Sequence, residues 1–521
     1  ANAINGTEII VRDNSFVINN AFKFQAYNDA SVSSGTSSTG SISTGNSIQT
    51  FLNALAGSYT FSGDWTFRNE TVSPQSAGPV GPSNTLRFIS VNHAYGDADR
   101  KTTFKLSGNL NIYGRNSGNH MTVGIEHQAY GSLAAEAINR GNMTFSGGKN
   151  IIGMTAMVEN YNDFATISHG KPRYNHPEES TLENIGSITV GAGASDSIGM
   201  DFAEYSFSPT IAALPYNNKG ALNIYAVPGN IILEGQTSYG LRVPNIFNGG
   251  QDTDSLYYDE TIINGEKQNG YGIEVKGSEN VGVSISKIIS MFKPTGSTIA
   301  ETTSVYDYQK GVGTNINKGS RNSDDLIGNI YNLNILVDGD SNVGFLRKSD
   351  YMSGNYNSAT LTRAQKDFVL KIDETGGTGH IQKIDFSNSA VGSVLFRTDK
   401  YGIDIADDLK VTGMSDAKYG IGPTHPDSNV ILLANETQTG RIIARTAVRN
   451  SGKLELEGTI DNGNGLIGLM SYNGAYAENK FSGTVEINSK NSIGIASMGA
   501  SGLTVASEAN NEGIINVNGA N

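Results

Sequence analysis

Apolar and polar residues alternate in short bursts along most of the chain, and the bursts recur in a fixed order. The clearest runs Asn184-Ile185-Gly186-Ser187-Ile188-Thr189-Val190, crosses a polar turn, and resumes at Ile198-Gly199-Met200. In outline this is N-x-G-x-Ψ-x-Ψ and then Ψ-G-Ψ, where Ψ is an apolar side chain. A period of two is the signature of a strand with one buried face. A glycine ahead of each strand suits a corner that needs positive φ. The phrase returns at 108–112 with Val123-Gly124-Ile125, at 141–145 with Ile152-Gly153-Met154, and at 220–224 with Tyr239-Gly240-Leu241. It returns again at 452–456 with Ile467-Gly468-Leu469 and at 483–487 with Ile493-Gly494-Ile495. Looser copies are Val281-Gly282-Val283, Val343-Gly344-Phe345, Val391-Gly392 and Tyr419-Gly420-Ile421.

A repeat of two or three short strands with no helical period cannot bury its apolar positions alone and must stack on its neighbours. The pattern therefore predicts an all-β chain, a right-handed parallel β-helix with the Ψ side chains pointing into one continuous core. Neighbouring coils would lie about 4.8 Å apart, giving a rod on the order of 60 to 75 Å long. Residues 1–103 read as an N-terminal cap region with the first coils, and 104–521 as the β-helix proper. Ile9 and Val11, then Phe16 and Ile18, alternate as in strands. The Ser/Thr/Gly tract at 31–47 reads as a mobile loop, 48–56 as a two-turn helix capping the core, and the proline-bearing 71–82 as another loop. Trp65, the one tryptophan, falls on an inward position. Insertions interrupt the repeat near 159–180, 202–217, 244–269, 287–325 and 348–378, the last with a short helix at 361–368. Loops of this size without strong secondary structure are more often functional than idle.

Composition narrows the classes. The 63 glycines, with abundant Asn, Ser and Thr, fit a fold that turns often and not a helical one. Lys and Arg number 37 against 50 Asp and Glu, a net charge of −13, which argues against a sequence-independent hold on nucleic acid or anionic lipid. No apolar run approaches membrane-spanning length, so the chain is expected to be soluble. Cysteine is absent, which removes disulfides, zinc-thiolate sites and a cysteine nucleophile. The chain opens on Ala1 and stops within a repeat at Asn521, so a fragment of a longer protein is expected.

Candidate chemistry is sparse. His169 and His176, near Glu178 and Glu179, have no third ligand dictated by their spacing, so an exposed loop is the better reading and no metal or cofactor is expected. Asp338-Gly339-Asp340-Ser341-Asn342 lacks the later carboxylate of a calcium loop and reads as a turn. Its Gly-Asp-Ser is followed by Asn342, with no triad partner indicated, so it is not a serine nucleophile. A β-helix polysaccharide lyase would gather Asp, Lys and Arg on outward positions. Those positions read Asn111, Thr144, Thr189, Asn223, Glu455 and Glu486, without such a cluster. Recognition by loops remains, with aromatic rings stacking on sugar faces beside carboxylates that fix hydroxyls. Tyr257 and Tyr258 with Asp252, Asp254 and Asp259 fit that description, as do Tyr205 and Phe207 with Asp201 and Glu204, and Tyr306 and Tyr308 around Asp307.

The repeated phrases, the lack of cysteine and the acidic Gly/Asn/Ser-rich composition resemble the passenger domains of monomeric autotransporter (type V secreted) adhesins. The Asn491-Ser492-Ile493-Gly494-Ile495 element in particular is similar to the repeats of large fusobacterial outer-membrane adhesins, of the arginine-inhibitable and galactose-sensitive kinds. The likeness covers most of 104–521. It implies a monomeric rod on a bacterial surface, held by a C-terminal β-barrel that this chain lacks. It also implies adherence to host cells, partner bacteria, glycans or immune receptors, with no catalysis. No binding residue carries over from the family. A glycan-active enzyme and a purely structural stalk are the alternatives.

Overall fold

A computed structural model describes residues 8–11, 22–26, 32–36, 49–55, 57–69, 85–92, 102–116, 121–129, 135–159, 180–201, 204–205, 224–227, 229–243, 261–264, 272–285, 330–331, 333–347, 367–370, 381–399, 402–405, 408–412, 428–436, 446–457, 466–489, 492–499 and 506–518. Every regular element among them is a strand. The strands fall into two compact units, the first running to Thr261–Asn264 and the second starting at Ile273–Val275.

In the first unit each repeat supplies one strand to each of three sheets. The first sheet orders Glu8–Val11, Gly57–Phe61, Thr102–Leu106, Ala135–Asn139, Ser180–Asn184, Ile224–Val227 and Thr261–Asn264. The second holds Asp64–Arg68, Asn109–Tyr113, Asn142–Lys149, Ser187–Val190 and Asn230–Leu233. The third runs Gln49–Leu55, Thr85–Asn92, Met121–Ala129, Ile151–Glu159, Ile198–Asp201 and Tyr239–Val243. Each strand in these series pairs in parallel with its counterpart one repeat away, as Asn142, Met143, Thr144 and Phe145 do with Ser187, Ile188, Thr189 and Val190. The register stacks like on like. Trp65, Leu110, Met143, Ile188 and Ile231 form one buried file, and Phe67, Ile112, Phe145, Val190 and Leu233 the next. Trp65 faces inward as expected, its ring stacked 4.9 Å from Phe61 and its indole N–H donating to the Ser62 carbonyl.

The second unit repeats the plan. Its third-sheet strands are Val281–Ile285, Val343–Arg347, Val394–Thr398, Val430–Asn435, Ile467–Tyr472 and Ile493–Met498. Ile273–Val275, Leu333–Val337 and Ile381–Phe386 form one second-sheet series, and Leu409–Thr412, Lys453–Glu457, Thr484–Ile487 and Ile514–Val517 another. Asp367–Leu370, Gly402–Ile405, Ala447–Asn450, Tyr476–Asn479 and Glu508–Asn511 play the first-sheet part.

Several expectations need correction. The glycine of Ψ-G-Ψ, and not its apolar neighbours, faces the interior: a Cβ on Gly124 would meet Ile112 and Met143, and one on Gly153 would meet Phe145. Phe88 stands in register with Gly124 and reaches Trp65 and Phe67, which confirms the direction. Alternation then puts Val123 and Ile125 on the opposite face. Both are nonetheless buried, and Met121, Val123, Ile152 and Ile198 form an apolar cluster there with Tyr239 against it. The third sheet is thus apolar on both faces, which a period-two reading with one buried face could not show.

The corner glycines answer to two needs: Gly63 and Gly229 have positive φ, as expected, and Gly108, Gly141 and Gly186 do not. Each of these three lies where a Cβ would overlap the carbonyl oxygen of the glycine one repeat earlier, so they mark close approach. Beside them stands the Asn of N-x-G. Asn139 Nδ2 donates to Asn184 Oδ1 at 2.7 Å, and in the second unit Asn450 donates to Asn479 at 2.9 Å and Asn479 to Asn511 at 2.8 Å. Asn184 and Asn479 each accept from the repeat before and donate to the repeat after, so their buried amides are satisfied by repetition.

Positive φ also occurs at the non-glycine turn residues Asp196, Thr237, Glu279 and Ser341. Each precedes a Ser or Asn whose side chain turns back onto a carbonyl of its own turn. That residue's backbone N–H is held in turn by its counterpart's side chain, as Ser197 N is by Ser238 Oγ and Asn280 N by Asn342 Oδ1.

The second-sheet strand assigned to 220–224 is Asn230–Leu233, because that segment, following Gly229, matches Ser187–Val190 in register. Val391-Gly392 is a turn, with Val391 exposed, and the strand there is Val394–Thr398. The helix expected at 48–56 is the strand Gln49–Leu55, where pairing with Thr85–Asn92 outweighs local preference. Within the tract expected to be a mobile loop, Val32–Thr36 pairs antiparallel with Phe22–Ala26, which itself pairs with Gln49–Leu55. Backbone pairing of that kind needs no apolar side chain. Three strands, Glu204–Tyr205, Thr261–Asn264 and Asp367–Leu370, lie inside spans read as insertions, and the last takes the end of the helix expected at 361–368. Phe16, Ile18, Asn223 and 419–421 lie outside the described residues.

Candidate functional site

Chain at 70–84 and 413–427 leaves the repeat after the second-sheet strands Asp64–Arg68 and Leu409–Thr412, but the longest departures lie at the corner that follows a third-sheet strand. In the first unit the sheet is left after Ile151–Glu159, after the Ile198–Asp201 and Glu204–Tyr205 pair, and after Tyr239–Val243. These strands are parallel neighbours, so the departure points stand side by side, about 4.8 Å from one to the next. In the second unit the same departure follows Val281–Ile285 and Val343–Arg347. The chain rejoins the repeat at first-sheet strands in each case, beginning Ser180, Ile224, Thr261, Ile330 and Asp367. The same corner is closed by only Asn473-Gly474-Ala475 between Ile467–Tyr472 and Tyr476–Asn479. There Asn473 and Gly474 adopt positive φ, and Ala475 N–H donates to the Tyr472 carbonyl. An insertion is therefore not needed to turn it.

Of the residues expected to bind a ligand, Asp201 is described in full. It is completely buried, and Arg242 on the adjacent strand grips it bidentately, Nε to Oδ1 at 2.9 Å and Nη2 to Oδ2 at 2.6 Å. Its carboxylate ties two repeats together at the root of an insertion. Tyr205 sits in the short strand Glu204–Tyr205, opposite Glu159. Phe207, Asp252, Asp254, Tyr257, Tyr258, Asp259, Tyr306, Asp307 and Tyr308 lie outside the described residues, as do His169 and His176. A second buried ion pair joins Arg87 to Glu126. Sequence reading missed both pairs because their partners are 39 and 41 residues apart and meet only through register.

The segment from Asp338 to Asn342 is a turn, as expected, with Gly339 and Ser341 at positive φ. Burial pushes the Asp338 carboxyl up. The Ser387 and Ser389 hydroxyls, the Gly339 N–H and the charge of Lys276 outweigh that and hold it below its usual range.

One expectation about the outer surface is overturned. Acidic and basic side chains do gather on outward positions of the strands Leu409–Thr412, Lys453–Glu457 and Thr484–Ile487. Lys410 pairs with Glu457 at 2.8 Å, and Lys453 with both Glu455 and Glu486. The hydrogen bonds that Lys453 donates to Glu455 and Glu486 raise its pKa well above the ordinary value. An ammonium held protonated in this way is a poor general base near neutral pH. Among the described residues no group of three or more His, Cys, Asp or Glu is placed to hold a metal ion.

No family model, no curated protein and no solved structure matches the chain.

Proposed function

We propose that the chain is the exposed passenger of a bacterial surface adhesin. In this reading it is a monomeric right-handed parallel β-helix that holds loops out from one corner of successive coils. Through those loops it binds a host-cell receptor, a glycan or a partner bacterium, without catalysis, while a C-terminal β-barrel outside this chain anchors it in the outer membrane.

The observation that carries the reading is the placement of the insertions. The five longest occupy one corner of the repeat, with shorter stretches at 70–84 and 413–427 elsewhere, although Asn473-Gly474-Ala475 shows that three residues close that corner. Chain that the fold does not need, presented repeatedly at one place on a rigid scaffold, is the arrangement of a binding surface. The β-helix part is supported by strands that follow one another through three sheets and pair in parallel from repeat to repeat. The right hand follows from the strong preference of parallel crossovers.

The test replaces 244–260 by Asn-Gly-Ala, and separately 206–223 and 160–179, then measures binding to glycan arrays and to host and bacterial cells. Loss of binding with the far-UV spectrum and thermal transition unchanged supports the reading. Unchanged binding with all three replaced, or turnover of a polysaccharide by the intact chain, sinks it.

A further inference from the structure

Between a first-sheet strand and the second-sheet strand that follows it, two residues are enough to turn the corner. Ser107-Gly108, Arg140-Gly141 and Ile185-Gly186 do so in the first unit, and Ser451-Gly452 and Glu512-Gly513 in the second. The corner between Tyr476–Asn479 and Thr484–Ile487 takes four, Lys480-Phe481-Ser482-Gly483, although it lies between those last two in the stack. Gly483 still keeps the close approach of a corner glycine, because a Cβ on it would overlap the Asn450 carbonyl oxygen. The surplus is therefore pushed outward, and Phe481 stands on it 86% exposed. The same tripeptide at Phe61-Ser62-Gly63 turns an earlier corner with its phenylalanine inside the strand and only 4% exposed.

The excursion is held in place. Lys480 N–H donates to the Asn450 carbonyl at 2.9 Å, and Gly483 N–H to the Lys480 carbonyl at 2.7 Å. Ser482 Oγ donates to the Ser451 carbonyl at 2.9 Å. The Lys480 ammonium donates to Asp404, a buried carboxylate that also accepts from Ser451 Oγ at 2.6 Å. Single apolar residues on a surface are ordinary. A ring carried by chain that the corner does not require, on a backbone fixed by its own hydrogen bonds, is not accounted for by folding.

Gly513, in the next coil, touches the excursion, since a Cβ there would overlap the Lys480 and Gly483 carbonyl oxygens. Its sequence neighbours Glu512 and Ile514 therefore stand beside it. Glu512 is exposed, and Ile514, in register with the outward Thr484, is 56% exposed. The described cations of these coils already have carboxylate partners: Lys480 has Asp404, Arg449 has Glu478, and Lys453 has Glu455 and Glu486. The result is an apolar knob with an acidic border. A convex knob cannot enclose a small ligand, whose sites are concave. An acidic border is repelled by the anionic lipid of a membrane surface.

We propose that Phe481 is an anchor that enters an apolar pocket on a protein partner, with Ile514 covered beside it and Glu512 meeting basic groups on the rim of that pocket. The proposal takes from the adhesin reading only that the partner is on a cell surface. It stands at a different corner from the insertions, so the two can fail separately.

The test titrates the labelled 521-residue chain onto the same host and bacterial cells, untreated, trypsin-treated and periodate-treated, and onto phosphatidylserine-containing vesicles. Binding is expected on untreated and periodate-treated cells and is expected to vanish after trypsin. Phe481→Ser should weaken it about tenfold or more at an unchanged melting temperature. Deleting Phe481 and Ser482, which restores a two-residue corner, should do the same. Glu512→Lys should slow association and flatten its salt dependence. Loss of binding in the Phe481 variants while the insertion replacements still bind supports this contact and sinks the loop reading. Unchanged binding by both Phe481 variants, binding that survives trypsin or is abolished by periodate, binding to the vesicles, or no cell binding by the intact chain overturns the proposal.

Discussion

Gly186→Ala tests whether the corner glycines exist because successive repeats approach closely there. A Cβ on Gly186 would overlap the Gly141 carbonyl oxygen and stand 2.8 Å from the Arg140 carbonyl carbon and 2.9 Å from that of Gly141. All of these atoms are backbone, so no side chain can swing aside and the two corners must part. Parting them stretches Ile185 N–H and Gly186 N–H to the Asn139 carbonyl, at 2.8 and 2.9 Å, and Ser187 N–H to the Gly141 carbonyl at 3.0 Å. It also strains the 2.7 Å amide bond from Asn139 to Asn184. At about 1 kcal/mol net for each hydrogen bond, less the several tenths that alanine gains by restricting the unfolded chain, the expected loss is about 3 kcal/mol. Gly199→Ala, whose Cβ would lie 2.7 Å from the Gly240 carbonyl oxygen, should cost less. Gly147→Ala, with nothing nearer than 3.7 Å, should be neutral or slightly stabilising. Stacked repeats need not unfold in one step, so denaturant unfolding is best paired with amide hydrogen exchange in the strands around 139–190. If Gly186→Ala falls within about 1 kcal/mol of Gly147→Ala, close approach is not what selects glycine at the corner.

Other variants probe the polar devices. Arg242→Ala leaves Asp201 buried without its partner and should destabilise the first unit by about 3 to 5 kcal/mol; a loss below about 1 kcal/mol in thermal unfolding would show that the pair is not what holds those strands. Asn184→Ala removes the acceptor for Asn139 and a donor to the Asn230 carbonyl, for a cost of about 1 to 3 kcal/mol by denaturant titration. Ser341→Gly relieves a left-handed residue and should stabilise the second unit by about 0.5 to 1 kcal/mol; destabilisation would mean that the Ser341 side chain matters more than its backbone. Because the folded pKa of Asp338 is depressed, its contribution is complete above the ordinary carboxylate range and is lost as pH falls through the folded value. Ser387→Ala with Ser389→Ala should move the NMR titration of Asp338 upward, and an unmoved titration would remove the hydroxyls as the cause.

The repeat was legible because its inward side chains recur with a period of two and its corners with a fixed residue. Met143, Phe145, Ile188 and Val190 were recognisable from spacing, and all four are buried in two files. The direction of Ile198-Gly199-Met200 was not. A strand with apolar residues on both faces has no alternation to reveal which face is the interior, and only Gly199 meeting Ile231 decides it. The candidate site was legible only as composition, rings beside carboxylates in long insertions. That Asp201 belongs to Arg242 depends on two strands meeting 41 residues apart, and no local pattern encodes the meeting.

By itself the amino-acid sequence determined that this chain is built of short strands in stacked repeats, because burying one face of each strand imposes a periodicity that survives substitution. It also determined where the repeats are interrupted. Tertiary structure alone decided which strand follows which in each sheet and that the longest departures share one corner. It alone also decided which glycines answer to crowding and which, like Gly147, do not. Those properties belong to distances between residues many tens of positions apart, and such distances exist only once the strands have paired.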